Sequence, residues 1–504
     1  KNIEQAPDWN LSRDRFWASA MPVWKGDKGG IIVVGSYDEL YKLSGKRLKD
    51  YHRPWIDQVK FYADKLPADV RKEYGMQDGE VYTRIDKVLD CWFESGSMPF
   101  AQLHYPFENK EKFERNYPAD FIVEYIGQVR AWFYYVHTVN TALASIGAFG
   151  KDRMTGHLNA YKNVITTGVV AGNDGRKMSK SLGNFTDPNT LMNQYSADSL
   201  RFLLLSSPLL NGEDFALQDK DVSDVARKLA MIWNMYDFFT MYAAVDGWEY
   251  KPVANSSLSQ RELAPDRATE GSKANNPVPT ISLFDLNNPL DRWIVSRVHQ
   301  LTAHIEKFMD GYNIPDALSA VIPFVDDASN WYVRRSRRRF WKSEDDSDKA
   351  QAYQTLHYVL VRLSVILAPF VPFLAEELYQ DLTGGESVHL LDWPTDNPVD
   401  DKVLADMART RNLINSGLAL RMRKDDSTNE KQVKIRQPLA FASYSGKRLD
   451  PYYEQIMRDE LNVKRINWVE NLADYQAGPV VTDVKVNDQS EVESWLELNK
   501  QLTP

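Results

Sequence analysis

The chain has 504 residues, of which 43% are hydrophobic and 26% charged, and a formal net charge of −9. That length suits about three domains with ordinary cores and excludes a fibre or a disordered tail. The acidic balance provides no general field for nucleic acid, so an RNA partner would have to be met by a local basic patch. A single cysteine, Cys91, excludes an intrachain disulfide framework and a cysteine-rich zinc site, and it suits a reducing compartment, the cytoplasm.

The opening KNIEQAPDWN lacks the apolar core of a signal peptide and does not begin with methionine, which reads as a fragment or a processed chain. Three apolar, β-branched runs follow, GGIIVVGSY, FIVEYIGQ and NVITTGVVAG. Each is bounded by glycine or polar residues, as expected of buried strands in a mostly parallel sheet. QVRAWFYYVHTVNTALASIG, between the last two, has the length of a crossover helix. The first 222 residues therefore read as an α/β half.

Within that half, Lys177 and Lys180 of RKMSKSLGN follow a strand and a glycine-rich turn. Two ammonium groups on such a loop can close over a phosphate at the carboxyl end of a strand and stabilise charge that develops on a leaving pyrophosphate. A lone pair of lysines at this spacing reads first as a solvated basic loop; the full string is rarer. Trp92 and Trp132 are rigid apolar plates suited to a branched aliphatic ligand, or simply core residues. Glu124 and Gln128, four residues apart at a strand-to-helix passage, can aim polar groups at one ligand, or serve as a helix-start charge and a surface amide. Gly168 would let a planar group approach the backbone closely.

From residue 223 to 400 the pattern turns helical, as in VSDVARKLAMIWNMYDFFTMYAAV and DRWIVSRVHQLTAHIEKFMDGY, and predicts a bundle. The polar run 253–280 interrupts it as a flexible surface insertion. LSVILAPFVPFLAEEL reads as a proline-broken core helix, not a membrane span. WYVRRSRRRFWK (331–342) holds five arginines and four aromatics. On a helix, Arg334, Arg335 and Arg338 share one side that could track phosphates while Trp331 and Trp341 anchor or stack on bases; a solvated face beside the acidic EDDSD is the other reading. Residues 401–504 read as a last helix leading into a small α+β tail.

KMSKS (177–181), LDCWFESGS (89–97) and EYIGQVRAWF (124–133), in their order along the chain, resemble the signatures of class I aminoacyl-tRNA synthetases, and among these the isoleucyl-tRNA synthetases of the eukaryotic-like branch. PDWNLSRDRFW, YSADSLRFLLLSSP and DDASNWYVRRSRRRFW extend the resemblance to the re-entry into the catalytic core, to its link with the helical domain, and to the anticodon-binding bundle. The resemblance implies the C-terminal half of a Rossmann-like core, an anticodon-binding bundle and a truncated α+β region. It implies isoleucine–tRNA ligase activity with ATP and Mg2+, isoleucine and tRNA(Ile) as partners, no protein-bound metal, no membrane and a monomer. By the same resemblance Lys177 and Lys180 are catalytic; Glu124, Gly127, Gln128, Gly168, Met178, Ser179 and Lys180 hold ATP or the adenylate; Trp92, Trp132 and Gln128 form the isoleucine pocket; and Arg334, Arg335, Arg338, Trp331 and Trp341 face tRNA. Three places depart from the family pattern: Gly127 stands where many relatives have aspartate, Ala131 where glycine is usual, and ASAMP (18–22) where a glycine-threonine-proline run is common. No His-Ile-Gly-His signature is present, which implies an incomplete, inactive portion. A non-catalytic tRNA-binding chain and a valyl or leucyl enzyme are the alternatives.

Overall fold

The computed structural model describes residues 4–150, 158–250, 279–341, 346–422, 435–469 and 494–497. Nearly all of the predicted insertion 253–280, and the C-terminus past Glu497, lie outside them. The chain divides into two compact units, one of residues 1–182 with 208–216, the other of 183–207 with 217–504.

The first unit opens with strands β1 (Val23–Gly26), β2 (Ile31–Val33), β3 (Lys60–Tyr62) and β4 (Val81–Arg84), which form an antiparallel sheet in the order β2-β1-β4-β3. Side chains alternate across it, so Trp24, Ile32, Phe61 and Tyr82 build a core while Ile31 and Val33 face outward. This corrects the reading of GGIIVVGSY as a strand of the parallel sheet. The tight return at Asp27–Gly30, closed by Gly26 N–H donating to Gly30 O at 2.8 Å, makes a hairpin, and a hairpin can only be antiparallel.

The other two runs pair in parallel as expected, though as strands they are largely unburied. After helix α1 (Cys91–Gly96), β5 (Ala119–Tyr125) pairs in parallel with β6 (Tyr161–Thr167), and α2 (Trp132–Ser145) is the crossover between them. Ile122 and Ile165 are buried, yet Phe121, Val123 and Val164 stay 42–51% exposed. Parallel strands are normally covered on both faces, so this βαβ element has uncovered apolar surface. Short parallel strands β7 (Val170–Ala171) and β8 (Phe215–Ala216) complete the unit.

The second unit is helical: α3 (Pro188–Tyr195), α4 (Ala197–Ser206), α5 (Asp219–Asp246), α6 (Pro289–Asp310), α7 (Val321–Asp326), α8 (Arg334–Trp341), α9 (Asp346–Leu367), α10 (Pro372–Thr383) and α11 (Asp401–Met422). A π-helical run, Asp327–Val333, joins α7 to α8. Strand β9 (Leu439–Ser445), helix α12 (Pro451–Leu461) and parallel strand β10 (Val463–Val469) form a second βαβ element, and β11 (Ser494–Glu497) pairs antiparallel with β9.

Packing crosses both boundaries expected from the sequence. Residues 188–206 belong with the bundle because buried Asp198 accepts from Leu374 N–H at 2.7 Å, at the start of α10, and Arg201 donates to the carbonyls of Pro369 and Phe370. These bonds satisfy backbone groups freed where the prolines of APFVP split the predicted core helix into α9 and α10. The α+β tail is no separate domain, since Leu439, Tyr444, Ile456 and Val463 join one core with Phe202, Ile294 and Leu360.

Two buried histidines make the bundle sensitive to acid. His299 lies between Pro398 O at 2.5 Å and the Tyr358 hydroxyl at 2.6 Å, with Arg362 and Asp396 nearby; His357 Nε2 meets Leu382 O at 3.0 Å. Burial lowers the pKa of both. The unfolded chain then binds more protons below its ordinary histidine pKa of about 6.5, so stability is full above that value and falls as pH drops toward the folded values. The urea midpoint of the bundle's unfolding should decline between pH 7.5 and 5.5, and His299→Gln with His357→Gln should flatten the decline; an equal decline in the double variant would place the sensitivity elsewhere.

Candidate active site and basic helix

Asp90 organises the first part of the site. Buried, it caps α1 by accepting from Trp92 N–H at 3.1 Å, and it also accepts from Trp9 Nε1 at 2.9 Å and from Arg13 at 2.6 Å. Burial raises its carboxyl pKa, but these bonds and the arginine's charge outweigh it and hold the group below its usual value. The cap fixes Trp92 at the first turn of α1.

Helix α1 lies directly on α2. A Cβ added to Gly96 would meet Tyr135 O at 2.9 Å, so the glycine of WFESGS permits the approach. Asn140 on α2 donates to Gly96 O at 2.9 Å, and Trp132 Nε1 to Ser95 O at 3.4 Å. Trp92 stacks on Tyr135 (5.3 Å between centroids, 18° between planes), and Trp9 packs against the same tyrosine at 4.6 Å. Both predicted pocket tryptophans thus sit on this helix pair. Tyr135, Trp9 and Asp90 were not singled out, although PDWNLSRDRFW contains Trp9, LDCWFESGS contains Asp90, and Tyr135 stands i, i+3 from Trp132. A cavity of about 460 Å3 beside the stack is lined by Trp9, Val129, Arg130, Tyr134 and Tyr135, among others.

The polar residues gather at the carboxyl end of the parallel pair. Glu124 is exposed near the end of β5, and Gln128 follows in the 3-10 turn Ile126–Arg130 that leads into α2. Gln128 Oε1 accepts from Trp132 N–H at 3.0 Å, so its carbonyl serves the helix start and only its amide is left for a ligand. Tyr125 pairs with Thr167, which places Gly168 at the same end of the sheet. A Cβ at 168 would lie 1.9 Å from Glu213 O, so the chain's own backbone already requires glycine there.

Two residues past β6 begins β7, from which the lysine loop hangs. Gly175 N–H donates to Gly172 O at 2.9 Å and Gly172 N–H to Arg176 O at 2.8 Å, which closes a turn with Gly175 at φ +74°. The backbone of Lys177 bridges back to Ala171. Beyond that anchor, Ser179 and Ser181 hydroxyls meet at 2.8 Å, Met178 is half-buried, and Lys180 is exposed. Lys177 therefore stands at the base of the hairpin and Lys180 on its free excursion.

On the helical unit, the basic stretch does not present Arg334, Arg335 and Arg338 as one open side. Arg335 is held by Glu460 at 2.7 Å and Asp459 at 3.0 Å, and Arg334 by Glu460 at 2.6 Å. Trp331 is half-buried with the Arg411 guanidinium 4.8 Å above its ring. In the widened π-helical turn, buried Asp327 receives Arg297 at 3.0 Å and Arg411 at 2.6 Å. Arg339 is turned inward onto Asp291. The arginines left exposed, with no ion pair among the described residues, are Arg337 and Arg338, beside exposed Trp341. Helical phase alone could not reveal that α12 supplies carboxylates to one side.

Residues 1–218 match the family described as tRNA synthetases class I (I, L, M and V), and residues 291–439 match the anticodon-binding domain of tRNA ligase. The isoleucine–tRNA ligase of Treponema denticola is 38% identical over 492 residues, 95% of this chain and 40% of the relative. That of Protochlamydia amoebophila is 38% identical over 486 residues, 94% of this chain and 41% of the relative. The chain thus spans about two-fifths of the length of these relatives. Among solved structures, the LeuRS of Agrobacterium radiobacter K84 in a ternary complex with tRNA and LeuAMS aligns with a TM-score of 0.51 at 18% identity, over 79% of this chain and 42% of that one, a likeness of fold alone. The order of the two matched domains agrees with the order of the two units: residues 1–218 are similar to class I tRNA synthetases and residues 291–439 to the anticodon-binding domain of tRNA ligases.

Proposed function

We propose that this chain is part of an isoleucine–tRNA ligase, in which isoleucine attacks the α-phosphate of ATP, supplied with Mg2+, to form isoleucyl-adenylate, and the acyl group then passes to the terminal ribose of tRNA(Ile). What supports this reading is that Glu124 and Gln128 stand at the carboxyl end of one parallel strand pair and the lysine loop follows the carboxyl end of a strand in the next, the end at which α/β sheets bind ligands. No covalent enzyme nucleophile is needed, and positioning with electrostatic stabilisation supplies the rate. Trp92, stacked on Tyr135, and Trp132 would enclose the aliphatic side chain. Such a pocket gains only about 1–3 kcal/mol from one methylene, a limit for which isoleucine against valine in this kind of enzyme is itself the usual illustration. Accuracy therefore calls for a separate editing step.

The uncovered surface at Phe121 and Val123, with relatives of which the chain spans about 40%, supports the view that these 504 residues do not form adenylate alone. Isoleucyl-adenylate formation by this chain in isolation would contradict it. No helix among the described residues is long and apolar enough to cross a membrane; action in the cytoplasm as a monomer is part of the proposal.

For tRNA, the accessible set on the basic helix is Arg337, Arg338 and Trp341. Arg337→Ala with Arg338→Ala should weaken tRNA binding and reduce the slope of log K against log salt by about two, one phosphate per arginine. Arg335→Ala should act through stability instead. Unchanged affinity and slope in the Arg337/Arg338 variant would assign these arginines to a solvated face.

A further inference from the structure

A wall that separates two aliphatic side chains differing by one methylene must be held to within about 0.5 Å, and the residues behind it do the holding. Trp92 lies on α1, a helix of six residues, and is only half-buried. Among the described residues its ring has one aromatic neighbour, Tyr135, on which it lies nearly flat. Tyr135 stands i, i+3 from Trp132 on α2, so one side of that helix carries both the second tryptophan and the backing of the first.

Tyr135 is itself wedged between Trp92 and Trp9, whose ring centroid is 4.6 Å away with its plane tilted by 48°. Trp9 is held in turn. Its indole N–H donates to Asp90 at 2.9 Å, across 81 residues of sequence. Asp90 N–H donates to Leu11 O at 2.9 Å, and Ser12 and Arg13 pair antiparallel with Leu89 and Val88. Asp90 is also the cap that fixes the backbone of Trp92. The contacts close a ring: one buried carboxylate holds the backbone of Trp92 directly, and the plane of its indole through Trp9 and Tyr135.

We propose that Trp9 is a specificity-determining residue that works from behind the pocket: by backing Tyr135 it fixes the plane of Trp92, and with it the depth of the pocket that tells isoleucine from valine. The inference rests on the reading of Trp92 as a pocket wall and adds to it a positioning residue. Without the indole at position 9, Tyr135 can move toward the cavity of about 460 Å3 that both residues line, and the Trp92 plate tilts after it. Isoleucine, which fills the pocket, loses more contact to a tilted wall than valine, which leaves a methylene's space unfilled.

The test uses the full-length natural protein in ATP–pyrophosphate exchange driven by isoleucine or by valine. Trp9→Leu should lower the isoleucine-to-valine ratio of kcat/KM about 2- to 12-fold, the worth of one aromatic pair. The loss should appear as a higher KM for isoleucine, with kcat and the KM for ATP little moved. Tyr135→Leu should lower the ratio likewise, and Trp9→Leu with Tyr135→Leu should be no worse than Tyr135→Leu alone, because both act through one ring. Trp9→Phe keeps a plate and removes only the donor to Asp90, so its ratio should fall between those of wild type and Trp9→Leu; should Trp9→Leu not fold, an unchanged ratio in Trp9→Phe would overturn the inference. A merely structural role would lower exchange with both amino acids alike and raise the KM for ATP. That result, or losses that add in the double variant, would overturn the inference and leave the synthetase reading standing. Absence of exchange by the folded wild-type protein with any amino acid would overturn the reading and the inference together.

Discussion

Arg339→Met destabilises the helical unit by about 3–5 kcal/mol, the cost of leaving a buried charge without its partner. Asp291 on α6 has no exposure at all, and Arg339 grips it with two parallel bonds of 2.7 Å. Tyr332 donates its hydroxyl to the same carboxylate at 2.8 Å, and the guanidinium reaches on to Asp348 of α9 at 2.8 and 2.7 Å. Burial disfavours the arginine's charge, but its bonds to Asp291 and the charges around it outweigh that and hold its proton more firmly than usual. One side chain therefore ties α6, α8 and α9 together. For a unit of this size the loss corresponds to a fall in Tm of about 6–20 °C. Arg339→Met with Asp291→Asn should recover part of it, because the stranded charge and not the missing contact dominates. A fall within about 0.5 kcal/mol for the single variant, measured by urea unfolding, would mean that Asp291 takes up a proton or finds water instead.

The second large effect is on catalysis. Lys180→Ala in the full-length protein should lower amino-acid-dependent ATP–pyrophosphate exchange by about 10²–10³-fold, the usual loss when a group aimed at developing transition-state charge is removed. Because Lys180 is exposed on the loop beyond the Lys177 anchor, stability should change by no more than about 0.5 kcal/mol. The loss should fall on kcat more than on the KM for ATP, since a lysine closing over the leaving pyrophosphate acts in the transition state. Exchange within threefold of wild type would reduce the loop to a solvated basic hairpin.

What the sequence made legible was governed by local order. The βαβ element at 119–167, the long helices at 219–246 and 289–310, and the turn before Lys177 all rest on patterns confined to a few neighbouring residues, and each formed as expected. The run Ile31–Val34 misled because four β-branched residues in a row read as burial on both faces, whereas the hairpin turn just before them set the pairing and left Ile31 and Val33 outside. Partners distant in sequence were equally hidden. Glu460 and Asp459 claim Arg334 and Arg335 from about 125 residues away, so a basic helix that reads as one open face is in fact half committed. Gly127 and Gly168 show the same limit at the site: the group that a side chain would meet, Tyr125 in one case and Glu213 in the other, could be seen only in three dimensions.

The most direct test of the account is amino-acid-dependent ATP–pyrophosphate exchange by the full-length natural protein, offered isoleucine, valine and leucine in turn. The account predicts exchange that prefers isoleucine, with valine about 10- to 200-fold weaker in kcat/KM. Exchange preferring valine or leucine, or none from protein shown to be folded, would contradict it.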